Sequence, residues 1–483
     1  MCRSEMSSES AARGDEQTEG RASDYRGGSV PHGFQAVFRG NCQVCSMTNS
    51  IPRWVQRAMY VRQLSITNIR SISSFELTFD ATETAGWHVI LGSNGAGKSS
   101  VIRSLALSLA GPKEAAALRQ NWSTWARSGT TDGTIKLQLE VGADDIFTGT
   151  GRRTKTVSAE LSLVPLEATV GPRFDLVAPT KAAQRSLWGT NSGWFSASFG
   201  PFRRFTGGDQ AYDRLFYSNP RLAPHLSAFG EDVALTEGLR WLRDLRVREL
   251  EQSADEGALL GRLVEFLNGS QLLPHGATIV EVRSEEVIVL DANGAKVAVE
   301  QLSDGYRSVL SMIFEILRQM TRSYGAARVM DALNVSASAV ELEGVVAIDE
   351  VDAHLHPSWQ RDIGPWFTRC FPLVQFVVTT HSPIICRNAT SVWRLATPGS
   401  DEQSGRIDGI ALNRLIHGSI LDAYGTEFFG RDVSRSEDSK MMVQELAQLN
   451  RKALRSTLEP AERSRLDELR DTLPTVASSI TSD

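Results

Sequence analysis

Residues 92–99 place glycine, lysine and serine at a spacing that suits phosphate binding. They read GSNGAGKS and fit the pattern G-x-x-x-x-G-K-[ST] at every position. Glycines let successive backbone N–H groups turn toward phosphate oxygens, Lys98 adds a positive charge, and Ser99 offers a hydroxyl to Mg²⁺. The candidate nucleotide-binding residues are those of this loop and the residue after it: Gly92, Ser93, Asn94, Gly95, Ala96, Gly97, Lys98, Ser99 and Ser100.

The segments on either side of the loop predict a strand before it and a helix after it. A short apolar run made of Trp87 and residues 89–91 indicates a buried strand, and residues 100–110 have apolar positions at helical spacing. The N-terminus of such a helix carries a partial positive charge that favours phosphate. An ordinary glycine-rich turn is the alternative, but it requires neither the Lys-Ser ending nor this flanking pattern.

A second buried strand ends in two carboxylates. Residues 345–348 read VVAI and lead directly into Asp349 and Glu350. Beside a phosphate loop, such an Asp can orient Mg²⁺ and the adjacent Glu can polarise an attacking water. A strand that ends in two solvated acids is the alternative, and the loop upstream makes it the less favoured one. We therefore predict Ser99 and Asp349 as metal ligands and Glu350 as a catalytic residue.

Two further segments present groups that suit an anion. Residues 376–382, FVVTTHS, form an apolar strand whose exit presents His381, which can hydrogen-bond a γ-phosphate. Residues 301–308, QLSDGYRS, precede a helical run at 309–320, and a Ser-x-Gly turn at a helix start is another anion-ready N-terminus. We predict His381 as the second catalytic residue.

In their order along the chain, these four segments resemble the Walker A, signature, Walker B and His-switch motifs of ABC-type ATPases. The resemblance covers residues from about 59 to 400. Residues 64–71, LSITNIRS, resemble the first strand of the RecF/SMC/OLD branch, in which the equivalent Asn and Arg lie near the nucleotide. The resemblance therefore implies nucleotide-binding roles for Asn68 and Arg70, and an ATPase that uses ATP and Mg²⁺.

The resemblance also implies a head-to-tail, ATP-dependent dimer. In such a dimer, Ser303 and Gly305 of one subunit cap the γ-phosphate held by the loop of the other. Asp304 and Tyr306 stand where Gly and Gln are typical, so the Ser-x-Gly turn is intact and hydrolysis is expected to be slow. The segments DGYRS at 304–308 and DAHLHPSWQ at 352–360 are together most similar to stand-alone ATPases of bacterial anti-phage operons, of the Septu and retron-associated types.

The whole chain has 483 residues and a net charge of −6, which gives no global basic field for nucleic acid. It contains no long apolar stretch and only five scattered cysteines, so we expect a cytoplasmic protein without a membrane partner. The expected fold is α/β: an ABC-ATPase-like P-loop domain with a mixed sheet, an antiparallel β subdomain and an inserted helical subdomain. The predicted segments are a disordered extension at 1–58, the first ATPase part at 59–210, a helical insertion at 211–275, the second ATPase part at 276–400 and a C-terminal helical segment at 401–483.

Three functions fit these features. The first is an ATP-driven dimeric switch that controls a separately encoded effector, such as a nuclease or toxin, in anti-phage defence. The second is a DNA-repair or recombination ATPase that binds DNA directly, with the arginine-rich helix at residues 239–248 as its contact; a solvated surface helix is the alternative interpretation of that segment. The third is a nucleotide sensor without turnover. Salt-dependent binding of duplex DNA would favour the second function.

Overall fold

A computed structural model describes residues 59–418 and 436–473. Within the first range, it leaves out several internal positions: 119, 143–144, 148–153, 167–172, 190, 193, 204, 206–209, 231–232, 234, 252–253, 272, 274–275 and 401. The predicted disordered extension at 1–58 lies outside the described residues. Among the described residues, no helix combines the length and the hydropathy that a membrane span requires.

The described strands are β1 (Tyr60–Ile69), β2 (Ile72–Thr78), β3 (Gly86–Leu91), β4 (Gly133–Glu140), β5 (Ile146–Phe147), β6 (Thr156–Leu166), β7 (Arg173–Val177), β8 (Asn191–Ser192), β9 (Phe195–Phe199), β10 (Thr278–Val282), β11 (Val287–Leu290), β12 (Lys296–Ala298), β13 (Gly344–Ile348), β14 (Val374–Thr380), β15 (Ser391–Arg394) and β16 (Gly405–Ile407). The described α-helices are α1 (Lys98–Ala110), α2 (Pro112–Ala115), α3 (Ala182–Arg185), α4 (Gln210–Ser218), α5 (Thr236–Leu250), α6 (Ala254–Gly269), α7 (Asp304–Tyr324), α8 (Ala326–Val335), α9 (Pro357–Cys370), α10 (Gly409–His417), α11 (Glu437–Arg455) and α12 (Pro460–Thr472).

Six strands form a mixed sheet in the order β16-β15-β3-β14-β13-β9. The pairs among β15, β3, β14, β13 and β9 are parallel, and only the β15–β16 pair is antiparallel. Both faces of this sheet are buried: Val346 and Ile348 pack into one hydrophobic cluster, whereas Val345 and Ala347 pack into the other. A sheet covered on both sides needs near-continuous apolar strands, which explains the unbroken run at 345–348.

A second sheet is antiparallel, in the order β2-β1-β4-β6-β7. Its strands alternate buried and more exposed positions, because one face packs on α1 and the other faces solvent. In β4, for example, Ile135, Leu137 and Leu139 are buried, whereas the residues between them are more exposed. A third sheet, β10-β11-β12, turns at residues 291–295, where Asp291 Oδ1 accepts hydrogen bonds from the backbone N–H groups of Asn293 and Ala295.

The α/β class, the mixed sheet and the antiparallel strands agree with the expectation from the sequence. The helices of the predicted insertion, α4 to α6, precede the third sheet, and buried residues of α5 and α6 join the same hydrophobic cluster as α7 and α9. Among its described residues, the C-terminal segment predicted as helical contains α10, α11 and α12.

Candidate nucleotide-binding site

The phosphate loop, residues 92–97, connects β3 to α1. Strand β3 pairs in parallel with β14, and β14 pairs in parallel with β13. Because the carboxyl ends of parallel strands meet at one edge of a sheet, three predicted segments come together there: the loop after β3, the acidic pair after β13 and His381 after β14.

The backbone of the loop requires glycine where the sequence has it. Gly95 and Gly97 have φ angles of 79° and 104°, in the left-handed region. A Cβ on Gly97 would lie 2.7 Å from Cγ1 of Ile72 and 2.8 Å from Oγ of Ser71, so the turn between β1 and β2 packs against the loop. No side chain caps the N-terminus of α1, and Oγ of Ser93 is buried without a hydrogen-bond partner among the described residues. Unpartnered donors in a glycine cradle fit a phosphate group.

Lys98 points back across the loop. Its Nζ donates to the carbonyl oxygens of Gly92 (2.9 Å) and Ser93 (3.1 Å), and lies 3.3 Å from Nδ1 of His381. Lys98 is only 5% exposed. Burial lowers its pKa, while the negative charges of Glu350 and Asp349 oppose that shift. The lysine is therefore a buried cation close to both acids.

The two acids after β13 are held by a hydroxyl from β14. Asp349 is 2% exposed, and its Oδ1 accepts a 2.6 Å hydrogen bond from Oγ1 of Thr379. The same hydroxyl accepts a 2.8 Å hydrogen bond from the backbone N–H of Glu350. Oε1 of Glu350 lies 3.7 Å from Nε2 of His381. His381 thus stands between the lysine and the glutamate.

The predicted metal ligands are a hydroxyl on Ser99 and a carboxylate on Asp349. Among the described residues, no group of three or more His, Cys, Asp or Glu is arranged to hold a metal ion. Mg²⁺ suits a site with few protein ligands, since it takes oxygen ligands and keeps several waters and phosphate oxygens. The residues present therefore fit Mg²⁺ that is bound together with a nucleotide.

Ser303 and Gly305 lie at the start of α7, away from the loop. They line a surface cavity of about 540 Å³ whose walls include His354, Tyr306 and Trp359 but no residue of the phosphate loop. Ser303 is the N-cap residue of α7, and its side chain makes no capping hydrogen bond. This helix end therefore presents free N–H groups at the surface.

Asn68 and Arg70 both have positive φ angles, 54° and 52°. Nδ2 of Asn68 donates to Asp132, and the Arg70 guanidinium lies 4.4 Å from the centre of the Trp125 ring. Burial lowers the pKa of Arg70 to about 10. The residues of this turn that pack on Gly97 are Ser71 and Ile72, which sequence reasoning did not single out.

A protein-family model matches residues 88–387, which include all four motifs; its description is "AAA domain, putative AbiEii toxin, Type IV TA system". The match covers more than half of the chain. The chain belongs to this AAA-domain family.

Curated relatives of this AAA-domain chain include proteins of two named systems. It is 25% identical over 352 residues to the Septu protein PtuA of Bacillus mycoides (strain KBAB4), which covers 70% of this chain and 40% of that protein. It is 36% identical over 126 residues to the Retron Ec83 probable ATPase of Escherichia coli, which covers 26% of this chain and 21% of that protein. The predicted similarity to Septu and retron ATPases is confirmed, and the matched segment spans less than half the length of either relative.

Solved structures similar to this AAA-domain chain include an Smc head and a recombination mediator protein. One is the "SmcHead bound to the C-winged helix domain of ScpA", with a TM-score of 0.40, 14% identity and coverage of 72% of this chain and 97% of that chain. The other is "the recombination mediator protein RecF-ATPrS in RecFOR pathway", with a TM-score of 0.37, 10% identity and coverage of 73% and 99%.

One buried residue of this AAA-domain chain was not identified from the sequence. Arg203 follows β9 by four residues, is 3% exposed, and donates hydrogen bonds to the backbone carbonyls of Asp349 and Glu350. No motif marks it. The only available signal was its place after an apolar strand, which many arginines share.

Three arginines of helix α5 have carboxylate partners within the chain. Arg240 lies 2.7 Å from Glu237, Arg246 lies 2.6 Å from Glu249, and Arg243 lies 3.7 Å from Glu300. These arginines are neutralised by neighbouring carboxylates, which favours a solvated surface helix over a nucleic-acid contact.

Proposed function

We propose that this chain binds and hydrolyses ATP with Mg²⁺, and that the reaction operates a dimeric switch that controls a separately encoded effector in anti-phage defence. The observation that carries the proposal is the convergence of three motifs on one point. Nδ1 of His381 lies 3.3 Å from Nζ of Lys98, and Nε2 of His381 lies 3.7 Å from Oε1 of Glu350.

The roles of the residues follow from their chemistry. The loop amides and Lys98 would hold the β- and γ-phosphates. Ser99 and Asp349 would hold Mg²⁺, which would neutralise charge on the phosphate oxygens when bound. Glu350 orients a water and accepts its proton, so that the water oxygen attacks the γ-phosphorus and the bond to the β-phosphate oxygen breaks. His381 donates a hydrogen bond to the γ-phosphate and loses that partner when phosphate leaves.

The position of the signature turn supports a dimer. Ser303 and Gly305 face a cavity at the surface that the phosphate loop does not line. In a head-to-tail pair, the start of α7 of one subunit would cap the γ-phosphate bound by the other, with its free N–H groups as donors. ATP would then join the two subunits, and hydrolysis would release them.

Control of an effector rests on the kinship with Septu and retron ATPases and on the C-terminal helices. Met441 and Leu454 of α11 are 60% and 88% exposed. Apolar side chains exposed on a helix suit docking of a partner protein. We expect the chain itself to show ATPase activity and no nuclease activity.

The enzymatic part is tested with two single substitutions. Lys98→Ala is expected to abolish ATP binding in isothermal titration, whereas Glu350→Gln is expected to keep binding and stop phosphate release. Lys113→Ala and Glu341→Gln, at exposed positions, are the matched controls. Normal turnover by Glu350→Gln would refute the assignment of the base.

The effector part is tested by co-expression with the adjacent gene. A stable complex is expected in a pull-down, and Lys98→Ala is expected to lose protection in a phage-plating assay. Full protection by the Lys98→Ala strain, or DNA cleavage by the purified chain alone, would overturn the switch.

A further inference from the structure

Arg203 joins two elements that the sequence places far apart. Its Nε donates a 2.8 Å hydrogen bond to Oγ of Ser308 in α7. Its two terminal nitrogens donate to the carbonyl oxygens of Gly200 (2.9 Å), Asp349 (2.7 Å) and Glu350 (3.0 Å). Four hydrogen bonds from one buried guanidinium therefore link the helix of the signature turn to the acidic pair.

Glu350 is held in an unfavourable backbone conformation by this network. Its φ angle is 45°, a left-handed value that costs free energy for a residue with a side chain. Hydrogen bonds hold both sides of the residue: its N–H donates to Oγ1 of Thr379, and its carbonyl accepts from Arg203. Loss of the Arg203 bond would let the backbone relax and move the carboxylate.

The start of α7 also touches the chain just after Glu350. A Cβ on Gly305 would lie 2.9 Å from the carbonyl oxygen of His354, so the helix and this segment are in close contact. Both Arg203 and Ser308 are buried, at 3% and 0% exposure, so their hydrogen bond lies in a low-dielectric environment, where it is stronger than at the surface.

We propose that Arg203 is a positioning residue that sets the place of the Glu350 carboxylate and couples it to the position of α7. The signature turn at the start of α7 serves the partner's nucleotide in the proposed dimer, whereas Glu350 serves the nucleotide of its own chain. Arg203 therefore links the two ATP sites of the dimer. Closure of the site that holds the partner's nucleotide moves α7, and the guanidinium transmits that movement to Glu350 in the chain's own site. This inference rests on the proposed function.

This network requires a planar guanidinium, because its four acceptors lie in different directions around the Arg203 side chain. Burial lowers the pKa of Arg203 to about 10, against the opposing charges of Asp349, Asp352 and Glu350, so the group stays charged at neutral pH. Lysine keeps the charge but offers a single ammonium, which cannot reach all four acceptors.

The test compares Arg203→Lys with Arg361→Lys, an exposed arginine paired with its neighbour Asp362. Arg203→Lys is expected to lower kcat for ATP hydrolysis by about tenfold to a hundredfold, because small displacements of a catalytic group have effects of this size. The Kd for a non-hydrolysable ATP analogue is expected to change by less than about threefold, since the loop is untouched. Thermal melts report whether the variant is folded.

Ser308→Ala is the milder variant and removes only the link to α7. It is expected to lower kcat by about threefold to tenfold, and the double variant Arg203→Lys/Ser308→Ala is expected to lose less than the product of the two single losses, since the two residues share one hydrogen bond. The coupling would be overturned if the fold-loss in kcat of the double variant equalled the product of the two single losses. It would also be overturned if the substitutions weakened the Kd for the ATP analogue and left kcat unchanged.

A second readout is independent of turnover. In the Glu350→Gln protein, Arg203→Lys is expected to raise the ATP concentration for half-maximal dimerisation, measured by light scattering, by about threefold or more. An unchanged midpoint with unchanged kcat would refute the role of Arg203. If the unsubstituted chain failed to hydrolyse ATP, the proposed ATPase would fall, and the dimerisation midpoint would still decide the inference.

Discussion

Oγ1 of Thr379 donates a 2.6 Å hydrogen bond to Oδ1 of Asp349, and both residues are buried. The hydroxyl also accepts the N–H of Glu350, so one side chain of β14 holds the two acids that follow β13. A residue without a predicted role thus organises the site.

Thr379→Val should impair turnover more than binding. The substitution keeps the shape but leaves a buried carboxylate oxygen and a backbone N–H without their partner, which should cost about 1–3 kcal/mol of stability. We expect kcat to fall at least about tenfold, because both acids lose their anchor. Phosphate release and thermal melts are the measurements. Thr368→Val is the control, since among the described residues the Thr368 hydroxyl donates to the carbonyls of Gly364 and Pro365 in α9. Equal kcat values for the two variants would contradict the role of Thr379.

Gly97→Ala should abolish nucleotide binding. The added Cβ would lie 2.7 Å from Ile72 and 2.8 Å from Ser71 at a φ angle of 104°, so the loop must shift away from its phosphate-binding shape. Gly129→Ala is the matched control, since Gly129 has a φ angle of 82° and open space around it. Isothermal titration with ATP should show no binding for Gly97→Ala and unchanged affinity for Gly129→Ala. Equal affinities would show that the close packing of the loop is dispensable.

Ser303→Arg should block dimerisation without blocking ATP binding. The substitution puts a bulky cation at the start of α7, on the surface cavity that would receive the partner's γ-phosphate. Light scattering of Glu350→Gln protein with ATP should show a dimer, and the added Ser303→Arg should keep it monomeric. Ser338→Arg, at an exposed position away from this cavity, should leave the dimer intact. A persistent dimer in the Ser303→Arg protein would remove this turn from the interface.

Two buried histidines should make the chain sensitive to acid. Burial lowers the pKa of His88 to about 4 and that of His225 to about 3, from 6.5 in the unfolded chain. Above pH 6.5 both imidazoles are neutral in either state, so their full contribution to stability is present. Below pH 6.5, the two histidines bind protons in the unfolded chain but stay neutral in the native chain. The free energy of unfolding should then fall with pH, by at most about 1.4 kcal/mol per pH unit for each histidine, until the native pKa is reached.

The pH dependence is measured as denaturant unfolding between pH 7 and pH 4. His88→Gln should flatten the slope over this range, whereas His417→Gln, at an exposed position, should leave it unchanged. Identical slopes for the unsubstituted chain and His88→Gln would refute the assignment.

The sequence by itself determined the four motifs, their order and the class of the fold. A phosphate loop needs glycine, lysine and serine at a fixed spacing along the chain, so residues 92–99 identify it from local sequence alone. Buried strands need apolar runs, so β13 was also evident without a structure. The convergence of the acidic pair and His381 on the loop depends on the parallel pairing of β3, β14 and β13, which the structure supplied.

Only the tertiary structure decided which side chains support that site. Arg203 lies 105 residues from Ser308 and 147 from Glu350 in the chain, and Thr379 lies 30 from Asp349. These hydrogen bonds depend on side-chain direction and on backbone carbonyls, which every residue carries and no residue type reveals. The φ angle of 45° at Glu350 also cannot be predicted from the sequence. Glutamate adopts this backbone conformation only when the surrounding contacts compensate for its free-energy cost.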